Sequence, residues 1–180
     1  MEDTYPWILD EKEAIKNFVI EIRKPYLGIC LGAQLLGEVL GGKIVRTKPP
    51  EIGILNIEML ADHLNDKVFR NFDSKFKVLQ WHSYEVQDLE SVKDVFLLAS
   101  SESTKYQIFR YKDYAYGVQF HTEIKEDTIS SWGKITELKE VIENNLGKNA
   151  LHLFEKEGNK NIKNMKLNTE KLYENFKKIL

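Results

Sequence analysis

The fold of this chain follows from the segment Lys24-Pro25-Tyr26-Leu27-Gly28-Ile29-Cys30-Leu31-Gly32-Ala33-Gln34-Leu35-Leu36. The residues before Gly28 predict a short strand that opens at a proline. Those after Gly32 predict a helix, because apolar side chains recur at helical spacing until Gly41-Gly42 ends the pattern. Cys30, the only cysteine, therefore lies at a sharp turn from strand to helix. This is the geometry of a nucleophile elbow, with sulfur in place of serine.

The residues around this cysteine suit a catalytic nucleophile. Gly28 and Gly32 leave room for a tight turn, where a side chain would clash. The sulfur lies at the start of the predicted helix, where unpaired N–H groups and the helix dipole favour a thiolate. The backbone N–H of Leu31 is placed to face an oxyanion. The alternative is a buried structural cysteine between a core strand and a core helix, and partners elsewhere in the chain must decide between the two.

The composition describes one globular domain. The chain has 180 residues, 42% of them hydrophobic and 30% charged, which is enough for one domain with a substantial core. A formal net charge of −2 gives no general attraction to nucleic acid or to an anionic membrane. A single cysteine excludes an internal disulfide, and neither a secretion signal nor a membrane-spanning run is seen. We therefore expect a cytoplasmic protein without nucleic-acid or membrane partners.

The order of predicted elements is typical of an α/β protein. A helix over 6–22, the strand over 26–29 and the helix after Cys30 indicate a parallel sheet covered by helices. Later strands are predicted over 43–46, 52–60, 76–79, 95–100, 106–111 and 115–120. A turn is predicted over 49–53 and a hairpin at Lys112-Asp113. Several strands with little helix between them indicate an antiparallel or mixed portion beside the parallel core.

The last third of the sequence is helical and charged. One amphipathic helix is predicted over 128–146, with Gly147 as its C-terminal cap. The lysine-rich segment 160–178 is interpreted as a solvated helix with an inward apolar side rather than as a nucleic-acid arm. The residues expected to pack inward are Leu172, Tyr173, Phe176 and Leu180.

A cysteine nucleophile needs a base and a group that orients the base. His121 ends the strand 116–120, and Glu123 follows two residues later. Residues two apart in an extended chain point the same way, so the Glu123 carboxylate can hold the imidazole and stabilise its cation. Cys30, His121 and Glu123 are therefore the candidate catalytic residues.

The chain has three other histidines. His82 is a competing base, ranked lower because Glu85 and Asp88 lie three and six residues on; it can instead line the pocket or cap the strand end. His63 is expected to face solvent, in a loop with a short helix over 62–72. His152 is expected at the edge of the core. One cysteine and scattered histidines predict no metal site, and no phosphate-binding loop is present, so no cofactor is expected.

Two motifs carry a family resemblance. The residues Gly28-Ile29-Cys30-Leu31-Gly32-Ala33-Gln34-Leu35, together with Gly117-Val118-Gln119-Phe120-His121-Thr122-Glu123, resemble the class I, or triad, glutamine amidotransferases. The likeness is greatest to stand-alone members similar to the amidotransferase domain of GMP synthase, and it covers roughly the first 125 to 145 residues. The resemblance implies a flavodoxin-like fold, a mixed and mainly parallel sheet flanked by helices. Together with the helical composition of the last third, it predicts a single amidotransferase domain over 1–180, with a core over 1–146 and a C-terminal helical extension over 147–180.

The resemblance also implies a reaction. Cys30 would attack the side-chain amide of glutamine to form a γ-glutamyl thioester. His121, oriented by Glu123, would protonate the leaving ammonia and then activate water, while Leu31 gives an oxyanion N–H. The ammonia would pass to a partner synthase, and no cofactor is implied. The implied substrate-binding residues are Gly28, Gln34, His82, Ser83 and Tyr84, and the segment Trp81-His82-Ser83-Tyr84 would supply backbone groups to the α-amino and carboxylate ends of the substrate.

The sequence departs from the family in two places. Thr122 stands where the family usually has proline, between the histidine and the glutamate. Family members also begin with further strands and a Gly-Gly turn that gives the second oxyanion N–H, and this chain starts just after that point. We therefore expect a sheet without those N-terminal strands. Two alternatives stay open: a γ-glutamyl peptidase or hydrolase on the same scaffold, or a catalytically impaired regulatory or interaction protein.

Overall fold

A computed structural model describes residues 5–180, and the side chains of all of these except Glu137 and Leu138. It confirms the predicted mixed α/β fold, in which helices flank a six-stranded sheet with the order β1-β6-β5-β4-β2-β3. The strands are β1 (Tyr26–Ile29), β2 (Lys43–Met59), β3 (Lys75–Gln87), β4 (Val95–Ser100), β5 (Ile108–Tyr111) and β6 (Ala115–Val118). The helices are α1 (Trp7–Lys16), α2 (Leu31–Val39), α3 (Thr128–Trp132), α4 (Thr136–Leu146) and α5 (Ala150–Phe176). None of these helices, within the residues described, is both long and apolar enough to cross a membrane.

The parallel part of the sheet is smaller than the sequence suggests. Among the strand pairs described, β1 and β6 are parallel, whereas the others are antiparallel. Parallel neighbours need a long crossover, usually a helix. The chain between β3 and β6 instead uses short connections, including the predicted hairpin at Lys112-Asp113, where Tyr111 pairs with Ala115.

The predicted turn over 49–53 is wrong. Strand β2 continues through this region, and its pairing with β3 shifts register between Arg46 and Glu51. Proline cannot donate to a strand ladder and is tolerated at such an irregularity, so Pro49-Pro50 interrupts the pairing without ending the strand. The alternation predicted beyond it is confirmed, because Ile52 and Ile54 join a different core cluster from Ile57 and Met59.

The two faces of the sheet have different coverings. Helices α1 and α2 pack on one face, where Ile15 and Leu36 contact a cluster that includes Phe109 and Ala115. On the other face Ile108 and Tyr116 join a cluster that includes Leu172 of α5. The first half of α5 covers the β2–β3 end of the sheet. The predicted C-terminal extension therefore contributes to the core.

The C-terminal helices depart from prediction in two ways. The helix predicted over 128–146 is divided into α3 and α4. A Cβ on Gly133, just after α3, would lie 2.5 Å from Leu151, so this residue lets α5 approach closely. Gly147 ends α4 with φ +92°, as predicted. Tyr173 is exposed rather than packed inward, whereas its neighbour Leu172 is buried, because successive helical residues point about 100° apart. Leu180, which follows the last helical turn, is also exposed rather than packed inward.

Two histidines also differ from expectation. His63 is buried rather than solvent-facing, and its Nδ1 contacts the backbone carbonyl oxygen of Leu60. His152 is exposed on α5 rather than at the edge of the core. The burial of these two histidines could not be predicted from local spacing, because it depends on how distant segments of the chain pack around each of them.

Candidate active site

Cys30 lies at a strained turn between β1 and α2, as predicted. Its backbone adopts φ 49° and ψ −103°, and α2 begins at the next residue, Leu31. Such a positive φ is uncommon outside glycine and persists only where the surroundings hold it. One such restraint is the Cys30 backbone N–H, which donates to the Val118 carbonyl at 2.8 Å. The Leu31 N–H belongs to the first turn of the helix, where N–H groups have no intrahelical acceptor.

The two glycines beside the cysteine are not equivalent. A Cβ on Gly28 would lie 2.4 Å from the Gly32 carbonyl oxygen, which is closer than real Cβ contacts. A Cβ on Gly32 would meet the Tyr26 hydroxyl at 3.3 Å, at the end of a side chain. Gly28 is therefore explained by the close approach of β1 to the first turn of α2. Its predicted role in substrate binding stays a prediction.

The parallel pairing of β1 with β6 brings His121 to the cysteine. Ile29 lies opposite Val118, so the residues after both strands emerge at the same end of the sheet. His121 lies close enough to Cys30 for the sulfur to raise the pKa of its imidazole. Its Nδ1 lies 2.6 Å from Glu123 Oε1. The three residues of the predicted triad are thus together, with the histidine between the other two.

The electrostatics of this group favour an ion pair. Burial opposes charge on His121, but its hydrogen bonds and charge interactions with Cys30 and Glu123 outweigh burial and raise its pKa to about 9. Burial likewise opposes ionisation of Glu123, yet the hydrogen bond and charge of His121 hold the pKa of that carboxyl below its ordinary value. At neutral pH the site therefore holds an imidazolium between the sulfur and a carboxylate.

Several contacts fix the His121–Glu123 segment. The His121 N–H donates to the Leu79 carbonyl at 2.9 Å, which ties it to β3. The Thr122 N–H donates to Glu123 Oε2 at 2.9 Å, and the Thr169 hydroxyl of α5 donates to the Thr122 carbonyl at 2.6 Å. The Trp132 ring packs edge-on against the imidazole, with 4.9 Å between ring centroids. The sheet and helices thus restrain His121 from several sides.

Gln119 contacts the side chain of Cys30, and sequence reasoning missed this contact. Gln119 is 1% exposed, and its Nε2 lies 3.8 Å from Cys30 Sγ. Gln34, predicted to contact substrate, is also buried and donates through Nε2 to Gln119 Oε1 at 3.2 Å and to the Tyr84 carbonyl at 2.8 Å. The sequence did contain a signal for this contact. Gln119 lies two residues before His121, and alternate residues of an extended chain point to the same face.

His82 is held by a carboxylate that local spacing did not reveal. Its Nε2 lies 3.0 Å from Glu51 Oε2, and the two side chains are 1% and 4% exposed. Glu51 lies opposite His82 in the β2–β3 pairing. Burial opposes ionisation of Glu51, but hydrogen bonds from His82, Ser101 and Ser103 hold its pKa below the ordinary value.

The predicted substrate-binding segment after Trp81 is therefore partly engaged within the protein. The His82 imidazole is enclosed, and the Tyr84 carbonyl already faces two nitrogens, Gln34 Nε2 and His82 Nδ1. A carbonyl oxygen has two lone pairs, so this one is not free for a substrate. Ser83 is half-buried, and its role stays a prediction.

Comparison with known proteins gives the family. The family model described as "Glutamine amidotransferase class-I" matches residues 3–131. One subunit of the glutamine-hydrolysing GMP synthase of Sulfolobus acidocaldarius is 33% identical over 118 residues, which is 65% of this chain and 60% of that protein. The protein of the same name from Pyrococcus abyssi is 34% identical over 121 residues, covering 64% of this chain and 62% of its own length. This chain thus spans about 60% of the length of these relatives.

Solved structures agree with the sequence comparison. A glutamine amidotransferase from Thermotoga maritima superposes with a TM-score of 0.83 at 29% identity, covering 98% of this chain and 72% of that one. A second one, from Methylobacillus flagellatus, gives a TM-score of 0.81 at 20% identity over 97% of this chain and 70% of its own, and this likeness concerns the fold alone. With the family model matching most of its length, the chain belongs to the class I glutamine amidotransferase family.

Proposed function

We propose that this chain hydrolyses the side-chain amide of glutamine through a covalent intermediate on Cys30 and releases glutamate and ammonia. The observation that carries the proposal is the position of His121, which the β1–β6 pairing brings beside Cys30 and whose Nδ1 lies 2.6 Å from Glu123 Oε1. A cysteine paired with a histidine that a carboxylate orients is the arrangement used for acyl transfer. The strained backbone at Cys30 presents the sulfur as a nucleophile elbow does.

The first half of the proposed reaction forms the thioester. The Cys30 thiolate attacks the side-chain carbonyl carbon of glutamine, and the oxygen gains the negative charge. The Leu31 N–H at the start of α2 donates to that oxygen. The His121 imidazolium then gives its proton to the leaving nitrogen, the C–N bond breaks, and ammonia departs. A γ-glutamyl thioester and a neutral imidazole remain.

The second half returns the site to its starting state. The neutral His121 takes a proton from a water molecule as that water attacks the thioester carbonyl carbon. The C–S bond breaks, glutamate leaves, and the cysteine is again a thiolate beside an imidazolium. Glu123 stays ionised throughout and stabilises the cation in both half-reactions.

We assign Gln34 a contact with the substrate through its carbonyl oxygen. Both N–H bonds of its amide are directed to protein acceptors, Gln119 Oε1 and the Tyr84 carbonyl. The side-chain oxygen is the group left to accept a hydrogen bond from the substrate α-ammonium. Ser83 is the member of the 81–84 segment that we assign to the other end of the substrate.

We further propose that the ammonia is delivered to a partner synthase. Two relatives are named as subunits of a glutamine-hydrolysing GMP synthase, and this name supports a nucleotide synthase as the acceptor. The proposal is tested by adding candidate synthases and asking whether glutamine replaces ammonium as their nitrogen source. Failure with every synthase that works on ammonium alone would contradict it.

The hydrolysis itself is tested by glutamate release from glutamine. We expect Cys30→Ala to lower kcat by at least about 1000-fold, and His121→Ala to do nearly the same. His152→Ala removes an exposed histidine of α5 and is the matched control, with unchanged activity. Equal glutamate release by the wild type and Cys30→Ala would refute the proposal. Faster turnover of γ-glutamyl peptides than of glutamine would replace it with a γ-glutamyl hydrolase.

A further inference from the structure

Gln119 is the side chain whose amide nitrogen faces the nucleophile. Its Nε2 lies 3.8 Å from Cys30 Sγ, within the range of a hydrogen bond to sulfur. The opposite atom of the amide, Oε1, accepts from Gln34 Nε2 at 3.2 Å. Because an amide has donors on one side and an acceptor on the other, the bond from Gln34 determines that the N–H side points to the sulfur.

Gln34 is itself oriented by a second acceptor. Its Nε2 also donates to the Tyr84 carbonyl at 2.8 Å. The two N–H bonds of this group are therefore both used, and the Gln34 amide cannot rotate by a half-turn without losing both. The same carbonyl lies 3.0 Å from His82 Nδ1, so the histidine contributes to its position.

The Glu51–His82 pair orients the Tyr84 carbonyl that accepts from Gln34. With Nδ1 facing the Tyr84 carbonyl, His82 Nε2 lies 3.0 Å from Glu51 Oε2. Both ring nitrogens thus face oxygen, and a proton must lie between the ring and the carboxylate. The other oxygen, Glu51 Oε1, accepts from the Ser101 hydroxyl at 2.6 Å. These contacts fix the orientation of the His82 imidazole. Because its Nδ1 faces the Tyr84 carbonyl, they also fix the position of that carbonyl.

Gln107 closes the hydrogen bonds into a ring. Its Nε2 donates to Glu51 Oε2 at 2.7 Å, and its backbone carbonyl accepts from the Gln119 N–H at 2.9 Å. This last bond joins the residue before β5 to the residue after β6 and returns the ring to Gln119. The six residues of the ring are Gln119, Gln34, Tyr84, His82, Glu51 and Gln107. Burying so many polar groups costs free energy that apolar side chains would not, so stability alone does not account for the ring.

We propose that Gln119 is a further catalytic residue that stabilises the Cys30 thiolate, and that Glu51 and His82 are positioning residues for its amide. A thiolate accepts a hydrogen bond more strongly than a thiol. The donor in this case is enclosed and already aimed, so little reorganisation is needed when the charge forms. The inference rests on the proposed function, in which Cys30 reacts as a thiolate in the first half-reaction and leaves as one in the second.

The test measures the pH dependence of Cys30 alkylation by iodoacetamide. Cys30 is the only cysteine, so one alkyl group per chain, followed by mass spectrometry, reports on this sulfur alone. The Gln119→Met variant keeps the length of the side chain but removes the donor. We expect the midpoint of its alkylation profile to move about one pH unit higher, which is about a tenfold loss of thiolate below the midpoint. We expect kcat for glutamine to fall by a similar factor with little change in KM.

Gln80→Met is the matched control. Gln80 is another fully buried glutamine, on β3, and neither atom of its amide has a hydrogen-bond partner among the residues described. This variant should leave the alkylation profile in place. Folding of each variant is verified by cooperative thermal unfolding. A folded Gln119→Met variant with the wild-type alkylation profile would overturn the role of Gln119.

The positioning role is tested by a double-mutant cycle. Glu51→Gln should move the alkylation midpoint upward in the wild type but not in the Gln119→Met background, because its effect passes through the missing amide. If Glu51→Gln does not fold, His82→Gln tests the same link. Equal shifts in both backgrounds would overturn the positioning role. Alkylation needs no glutamine, so the two proposals can fail independently. If the proposed glutaminase function is wrong, the wild type will release no glutamate, but the shifts of the alkylation midpoint will remain.

Discussion

The backbone N–H of Thr122 donates to Glu123 Oε2 at 2.9 Å. The residue between the histidine and the glutamate thus helps to hold the carboxylate, in addition to spacing the two. In the family that this chain resembles, proline is usual at this position, and proline has no N–H to donate. This chain therefore fixes Glu123 through a hydrogen bond that a His-Pro-Glu sequence cannot make.

The first prediction concerns this bond. Thr122→Pro removes one of the hydrogen bonds that stabilise the ionised carboxylate, so the pKa of Glu123 should rise toward its ordinary value. The acidic limb of the kcat/KM profile for glutamine should move upward by about half a pH unit. Thr122→Ala keeps the N–H and is the control, with its acidic limb at the wild-type pH. A shift in the control as large as in the proline variant would show that the N–H is not responsible.

The second prediction concerns stability at alkaline pH. The pKa of His121 is raised to about 9, above the ordinary value near 6.5 expected in the unfolded chain. The folded state therefore binds the proton more tightly, and this stabilisation is complete below about pH 6.5 and lost as the pH rises through about 9. We expect the free energy of unfolding to fall by on the order of 2 kcal/mol across that interval, measured by urea denaturation.

Cys30→Ala serves as the control for this pH dependence. It removes a partner that raises the pKa of His121, so the loss of stability should begin at lower pH and be smaller. In the proposed reaction, glutaminase activity should also decline above about pH 9, since a neutral imidazole cannot protonate the leaving ammonia. Identical pH–stability curves for the wild type and Cys30→Ala would contradict a coupled Cys30–His121 pair.

The core of the site was predictable from the sequence because its signals are local. The glycine before Cys30 and the helical pattern after it specify the elbow, and the spacing of His121 and Glu123 places both on one side of an extended segment. The parallel pairing of Ile29 with Val118 then joins the two motifs. The geometry within each motif therefore follows from a short stretch of sequence, whereas the meeting of the two motifs depends on this long-range pairing.

The buried ring around Gln119 was not predictable in the same way. Glu51 meets His82 only because β2 pairs with β3 in a particular register, and local sequence does not determine that register. The prediction of a turn over 49–53 was wrong for the same reason, because it did not include the pairing of β2 with β3. Two consecutive prolines favour a turn locally, but pairing on both sides of Pro49-Pro50 keeps β2 extended.

The third prediction separates the two glycines of the elbow. Gly28→Ala would place its Cβ 2.4 Å from the Gly32 carbonyl oxygen and 2.5 Å from its carbonyl carbon, and backbone atoms cannot rotate away. We expect a loss of about 2 to 4 kcal/mol in the free energy of unfolding, and we expect the proposed glutaminase activity to be lost as the elbow shifts. Urea denaturation and glutamate release measure the two effects.

Gly32→Ala is the matched variant on the other side of the cysteine. Its Cβ would meet the Tyr26 hydroxyl at 3.3 Å, and alanine within α2 gains up to about 1 kcal/mol of helix propensity. We expect its stability to lie within about 1 kcal/mol of the wild type. Comparable losses in both variants would mean that the contact of β1 with α2 does not explain Gly28.

The fourth prediction concerns Trp132 of α3. Its ring packs edge-on against His121 and also against Trp81, at centroid separations of 4.9 and 5.0 Å. Trp132→Ala should cost about 2 kcal/mol of stability. It should also lower kcat several-fold with little change in KM, because the imidazole loses a restraint on its orientation while the proposed substrate contacts remain.

Trp132→Phe keeps an aromatic ring beside the imidazole and distinguishes orientation from stability. If edge-on packing orients His121, the phenylalanine variant should recover most of kcat even where part of the stability is still lost, because a smaller ring leaves a gap against Trp81. Steady-state kinetics and thermal unfolding of both variants make the comparison. A kcat that follows stability alone across the two variants would show that Trp132 supports the fold around His121 without orienting its ring.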